Sequence, residues 1–228
     1  MSEHQAGIFD RSYTQHLFLE YALGGGHDKN RIRRALRQAL ALAGERTPVL
    51  VAFGPGLWSR LSSDFDFPAF YLEGEVPATQ GDLFVWVQAD NRSDLFDTGL
   101  AVHRQLRDEL ALQLEVEAFV YHDLRDLSGF VDGIGNPEGE AARQAAIIPD
   151  PHPAAGGSWV LSQKWVHAGL EAFHEMPVAD QENVFGRTKA DAVEFDDERM
   201  PDNAHVGRTD VDRDGVPQKI WRRSVPYG

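Results

Sequence analysis

The chain has 228 residues, with 36 Asp and Glu against 22 Lys and Arg for a formal net charge of −14, and it contains no cysteine. That length accommodates one large domain or two small ones around a buried core. The negative charge repels phosphate and sets aside nucleic acid and anionic membrane surfaces as main partners, while the lack of cysteine excludes disulfides, thiolate nucleophiles, iron–sulfur clusters and cysteine-rich zinc sites.

Residues 16–23 (HLFLEYAL) alternate as a strand does and run into the break Gly24-Gly25-Gly26. Asp28 is placed to cap a helix over residues 29–43. Residues 49–53 (VLVAF) and 82–89 (DLFVWVQA) are predicted strands, followed by a helix over 93–113 and a strand over 116–122. This β-α-β, loop, β-α-β order fits a ferredoxin-like α+β sandwich. Residues 123–157 read as a long Gly- and Pro-rich loop, a length that marks either a linker or a functional segment. Residues 158–166 (SWVLSQKWV) then read as a strand and 170–185 as helical with a restart after Pro177. Residues 204–211 and 218–225 read as two strands joined by an Asp214-Gly215 turn.

The expected fold class is therefore α+β, with two ferredoxin-like domains, the second incomplete. Residues 1–125 form the first, 126–157 a linker with a glycine loop, and 158–228 the second. A sheet with an open edge calls for cover, either from another chain, as in a homo-oligomer, or from a segment following residue 228. The opening MSEHQAGIFDRSYTQ shows no secretory leader, and no run approaches the roughly 20 apolar residues that span a bilayer. Together with the absent cysteines, this predicts a soluble cytoplasmic protein.

The most specific segment is Gly129-Phe130-Val131-Asp132-Gly133-Ile134-Gly135-Asn136-Pro137. Glycine permits backbone angles and a close approach to a flat ligand that other residues do not. An Asp held in such a loop can be raised into a cavity as an acid–base group. Taken alone, however, the local chemistry favours a plain turn in which Asp caps its own backbone.

Companion segments change that balance. Gly129-Phe130-Val131-Asp132-Gly133 resembles the GxxDG signature of the dye-decolorizing peroxidases, with Asn136-Pro137 following as in that family. Gly186-Arg187-Thr188-Lys189 is similar to a segment of the family's second domain. Residues 201–210 (PDNAHVGRTD) resemble the region that bears its proximal histidine, and 220–228 (IWRRSVPYG) the strand that bears its distal arginine. The order and spacing match, and weaker similarity extends through the N-terminal half. Members of the family continue past the PYG segment, so the second of two dimeric α/β-barrel-type domains is expected to be incomplete here.

The resemblance implies a heme peroxidase, with heme b (iron protoporphyrin IX) as cofactor. It would reduce hydrogen peroxide and oxidise dyes, phenolics or other small or bulky aromatic electron donors. His205 would be the metal ligand, coordinating the iron. Asp132 would be catalytic, moving a proton from the inner to the outer peroxide oxygen, with activity favouring acidic pH. Arg222 would be both catalytic and cofactor-binding, stabilising charge as the O–O bond breaks. The RxxxPY pattern selects Arg222 over Arg223, which would face the other way on a strand. Ser224 would share its face and help order water. Gly133, Ile134 and Gly135 would lie against the cofactor, and Arg187, Lys189 and Arg208 are candidate partners for its propionates. Trp159 and Trp165 are the first surface oxidation sites to test. Two further readings stay open: a heme-binding protein with little peroxidase turnover, and a non-heme interaction module.

Overall fold

The computed structural model describes residues 4–5, 7–24, 28–62, 66, 79–209 and 211–227. Gly25 and Gly26 of the predicted break, and Asp210 and Gly228 at the ends of two resembling segments, lie outside the described residues. The chain divides into two compact units. One comprises Met1–Phe119, Pro149–Gly157 and Tyr227–Gly228, the other Val120–Ile148 and Ser158–Pro226.

The first unit runs β1 (Gln15–Leu23), α1 (Lys29–Leu40), β2 (Val49–Phe53), α2 (Pro55–Leu61), β3 (Leu83–Ala89), α3 (Arg92–Leu106) and β4 (Leu110–Phe119). Its four strands form one antiparallel sheet in the order β2-β3-β1-β4. Alternation along the strands sends Leu17, Leu19, Tyr21, Val85 and Val87 into a core with Ile32, Leu36, Leu95, Val102 and Leu106 from α1 and α3. The helix starts follow their caps. Asp28 accepts from the N–H groups of Asn30 at 2.6 Å and Arg31 at 3.3 Å, and Asn91 accepts from Asp94 N–H at 2.9 Å. Glycine lets α3 settle close to the sheet, since a Cβ on Gly99 would lie 2.2 Å from Leu17 Cδ2.

The predicted helix over 93–113 stops early. Residues 110–119 instead pair with β1, from Leu23↔Leu110 to Gln15↔Phe119. That non-local ladder outweighs the helical spacing of the same residues.

The second unit holds α4 (Gly139–Ala146), α5 (Leu170–Glu175), α6 (Val178–Phe185), α7 (His205–Thr209), β5 (Asp212–Arg213) and β6 (Val216–Pro217). Helix α4 lies inside the stretch predicted to be loop. The restart at Pro177 and the Asp214-Gly215 turn are both present, the turn residues having φ of 56° and 79°. Three predicted strands are not. Residues 158–166 and 218–225 form no ladder, because extended backbone becomes sheet only where a neighbour pairs its N–H and C=O groups. Trp159, Val160, Leu161, Trp165 and Val166 are left exposed. The predicted strand over 204–211 instead contains α7. Ala204 N–H bonds Pro201 O at 2.9 Å and Arg208 N–H bonds Ala204 O at 3.0 Å, so local helical bonds prevail over the alternation.

Candidate functional site

The Asp132 loop is built as a small clasp within the second unit. Antiparallel bridges join Tyr121 to Arg125 and Arg125 to Val131. Asp132 N–H donates to Leu124 O at 2.8 Å, and Asp126 N–H to Phe130 O at 3.0 Å. Gly129 and Gly133 adopt φ of 87° and 75°, a left-handed conformation that strongly favours glycine. This gives the two glycines that bracket Asp132 a structural reason. A guanidinium ties the clasp down. Arg125 Nη1 donates to Gly129 O and to Lys189 O, each at 2.8 Å, and Nη2 donates to Ala190 O at 3.3 Å. The remaining edge of Arg125 meets Asp123 at 2.8 and 3.0 Å. Those hydrogen bonds are the first cause holding the Asp123 carboxyl below its ordinary range. One side chain thus joins the Asp132 loop to the segment that follows Gly186.

An aromatic hub lies beside the clasp. Phe130, fully buried, stacks on Phe185 at 3.8 Å between centroids, and the Phe185 ring is 5.8 Å from that of His205. Gly186 ends α6 at φ 79° with its N–H on Glu182 O at 2.7 Å, which delivers Arg187 to the hub. The Arg187 guanidinium sits 5.7 Å from the Phe130 centroid and 5.5 Å from that of Phe185. Arg187 is only 5% exposed, and among the described residues its Nη1 finds no hydrogen-bond partner. Burial lowers its pKa from the usual guanidinium range, with Asp132 the first group opposing that shift. A buried cation with an unsatisfied donor is costly unless an anionic group meets it. Lys189 is better satisfied, donating to Gln181 Oε1 at 2.6 Å with its ammonium 5.6 Å over Phe130.

His205 opens α7, packed on one side against Phe185 and exposed on the other. Its pKa is lowered, first by burial and then by the Arg222 and Arg187 guanidinium groups, while Asp132 and Asp126 oppose the shift. Asp132, His205 and Arg222, far apart in the chain, therefore share one electrostatic neighbourhood. Among the described residues no hydrogen bond engages either nitrogen of the His205 ring. Arg222 is held next to the Asp132 loop through Asn136, and a Cβ on Gly135 would lie 3.8 Å from Arg222 Nη2. Arg223 turns elsewhere, its guanidinium 5.5 Å from the Trp221 ring. Ile134 is 42% exposed, and Ser224 and Arg208 are exposed as well. Sequence reasoning had no role for Arg125, Asn136 or Phe185. Asn136 was visible only as part of a motif, and the other two carried no signal of their own.

Among the described residues no cluster of three or more His, Cys, Asp or Glu offers a metal site. What they offer is one imidazole, an acid and a guanidinium in its field, and a buried cation with one unsatisfied donor. This set fits heme, whose iron a single imidazole such as that of His205 could hold and whose carboxylates would meet cations such as Arg187.

The fold and the residue set thus define an α+β protein with a lone imidazole in the field of an acid and a guanidinium. Comparison with known proteins narrows that class. Residues 123–228 match the family model described as Dyp-type peroxidase, C-terminal. The dye-decolorizing peroxidase of Mycobacterium tuberculosis is 36% identical over 189 residues, 79% of this chain and 56% of that protein. A solved DypB variant in complex with manganese superposes with a TM-score of 0.86 at 31% identity, covering 97% of this chain and 77% of that one. A Rhodococcus jostii DypB variant in complex with heme gives a TM-score of 0.82 at 29% identity, with coverage of 97% and 77%. The chain belongs to the dye-decolorizing peroxidase family. It spans about half the length of the curated relatives it matches.

Proposed function

We propose that this chain is the core of a heme peroxidase that reduces hydrogen peroxide and oxidises dyes, phenolics or other bulky aromatic donors. The observation that carries this reading is the convergence of Asp132, Arg222 and His205: Asn136 and Gly135 bring Arg222 to the Asp132 loop, Phe185 joins that loop's Phe130 to His205, and the charges of Asp132, Arg222 and Arg187 all reach the imidazole. Heme b, when bound, supplies the redox centre through which donor electrons reach peroxide. His205 would hold the iron, and its lowered pKa keeps the imidazole neutral with a lone pair to give. Asp132 would carry a proton from one peroxide oxygen to the other, which would leave as water with the electrons that a bound heme would supply. Arg222, permanently charged, would steady the negative charge that develops as the O–O bond parts. Gly133, Ile134 and Gly135 would lie along the macrocycle. Arg187 is the first choice for a propionate because of its buried unsatisfied donor, with Lys189 and Arg208 behind it. Ser224 would order water near Arg222. Trp159 and Trp165, 61% and 62% exposed, would accept electrons at the surface.

We also propose two ferredoxin-like domains, 1–125 and 158–228, joined by the 126–157 loop, the second incomplete. The sheet order β2-β3-β1-β4 supports the first. The exposed apolar run 158–166, which pairs with no strand, is apolar surface that such a second domain would have to cover. A cytoplasmic homo-oligomer completes the proposal. Among the described residues, no helix is long and apolar enough to cross a membrane.

Hemin titration followed by peroxide addition tests the function. The parent should develop a Soret band that shifts with peroxide. His205→Ala should lose the ligated spectrum, and Asp132→Asn should keep heme while reacting about 10²- to 10⁴-fold more slowly. A heme-loaded parent inert to peroxide would refute the peroxidase reading. One other reading, heme binding with little turnover, keeps His205 and the glycine loop and has no need of Asp132. An Asp132→Asn variant indistinguishable from the parent would select it.

A further inference from the structure

Residues 218–225, which carry Arg222, belong to no helix or sheet. Asn136 holds them. Its Nδ2 donates to Arg222 O at 2.7 Å, and Arg222 N–H donates to its Oδ1 at 3.1 Å. A primary amide that meets both the C=O and the N–H of one residue does what a neighbouring strand would do, fixing that residue's backbone in two directions. Asn136 is itself fixed to the Asp132 loop, since its own N–H donates to Gly133 O at 3.1 Å. Beside it, Gly135 leaves space for the guanidinium, with a Cβ there 3.8 Å from Arg222 Nη2. Asn136 therefore ties the backbone of Arg222 directly to the loop that carries Asp132.

We propose that Asn136 is a positioning residue that sets the Arg222 guanidinium against Asp132. This rests on the reading above, in which those two groups handle peroxide. Asn136 touches no reacting atom; it acts through the backbone of residue 222. Loss of the amide frees that backbone, and the guanidinium then samples positions away from the developing charge. Two such hydrogen bonds place the expected effect near one order of magnitude.

Two measurements on the full chain test the proposal. In amide hydrogen exchange, the Arg222 N–H should be protected in the parent and exchange roughly 10-fold faster in Asn136→Ala, with α1 amides unchanged. With hemin bound, Asn136→Ala should slow the reaction with peroxide by about 10-fold, leaving hemin affinity and the KM for the aromatic donor unchanged. In an Arg222→Leu background the same substitution should change the rate by less than about twofold, because its effect passes through the missing guanidinium. Asn136→Asp retains the acceptor and loses the donor, so it should give a partial effect in both measurements and serves if the alanine chain does not fold. Equal slowing in both backgrounds, or parent-like exchange at Arg222, overturns the proposal. A heme-loaded parent that ignores peroxide defeats the function proposed above instead, and exchange at Arg222 still decides whether the clamp exists.

Discussion

Replacing Gly186 by alanine tests whether the aromatic hub and the His205 helix form one packing unit. Gly186 has φ of 79°, and an L-residue held in that left-handed region costs about 1–2 kcal/mol. The new Cβ would also fall 2.5 Å from Met200 Sδ and 3.0 Å from Ala204 Cβ. The Met200 sulfur can swing aside. Ala204 is fully buried immediately before His205, so its Cβ moves only with the start of α7. Overpacking of this kind adds about 1–3 kcal/mol, for a total of roughly 2–5 kcal/mol. Urea unfolding should show a lower midpoint at unchanged slope, and hemin titration should show weaker binding because His205 is displaced. Gly186→Asn separates the two contributions, since Asn tolerates the left-handed region but keeps the offending Cβ. It should recover only the conformational part. A Gly186→Ala chain within about 0.5 kcal/mol of the parent refutes the reasoning.

Arg125→Gln strips a cationic donor from Gly129 O, Lys189 O and Ala190 O. It should destabilise the chain by about 2 kcal/mol, and limited proteolysis should cut first within residues 123–137. Arg187→Met removes a buried cation whose Nη1 lacks a partner, so haem-free stability should stay within about 1 kcal/mol of the parent or rise. Hemin affinity should nevertheless fall by roughly tenfold or more, and unchanged affinity would remove Arg187 from the propionate assignment. Glu20 on β1 has its carboxyl pKa raised by burial from the ordinary 4.5. The folded chain therefore binds this proton more tightly than the unfolded one, and the group favours folding below its unfolded pKa. That contribution is lost as pH rises through the folded value. Glu20→Gln should accordingly melt higher than the parent near neutral pH and lose the advantage toward about pH 4, as thermal scans across that range would read.

The sequence by itself determined what is encoded within a few residues. Asp28 announces a helix because its carboxylate reaches N–H groups two and three positions ahead. The strands β1, β2 and β3 show their alternation or their β-branched runs. The glycines flanking Asp132 mark a backbone that other residues resist, and the resembling segments locate the family. Tertiary structure decided the rest. Residues 110–113 became strand rather than helix because β1 lay ready to pair with them, and 158–166 did not because no ladder formed alongside. The Arg125 latch and the Asn136 clamp span 64 and 86 positions along the chain. Each ends on main-chain atoms, and every residue type has the same carbonyl and, proline aside, the same N–H. A side chain bonded to distant backbone therefore leaves no mark on the identity of its partner, and only the folded chain reveals the pair.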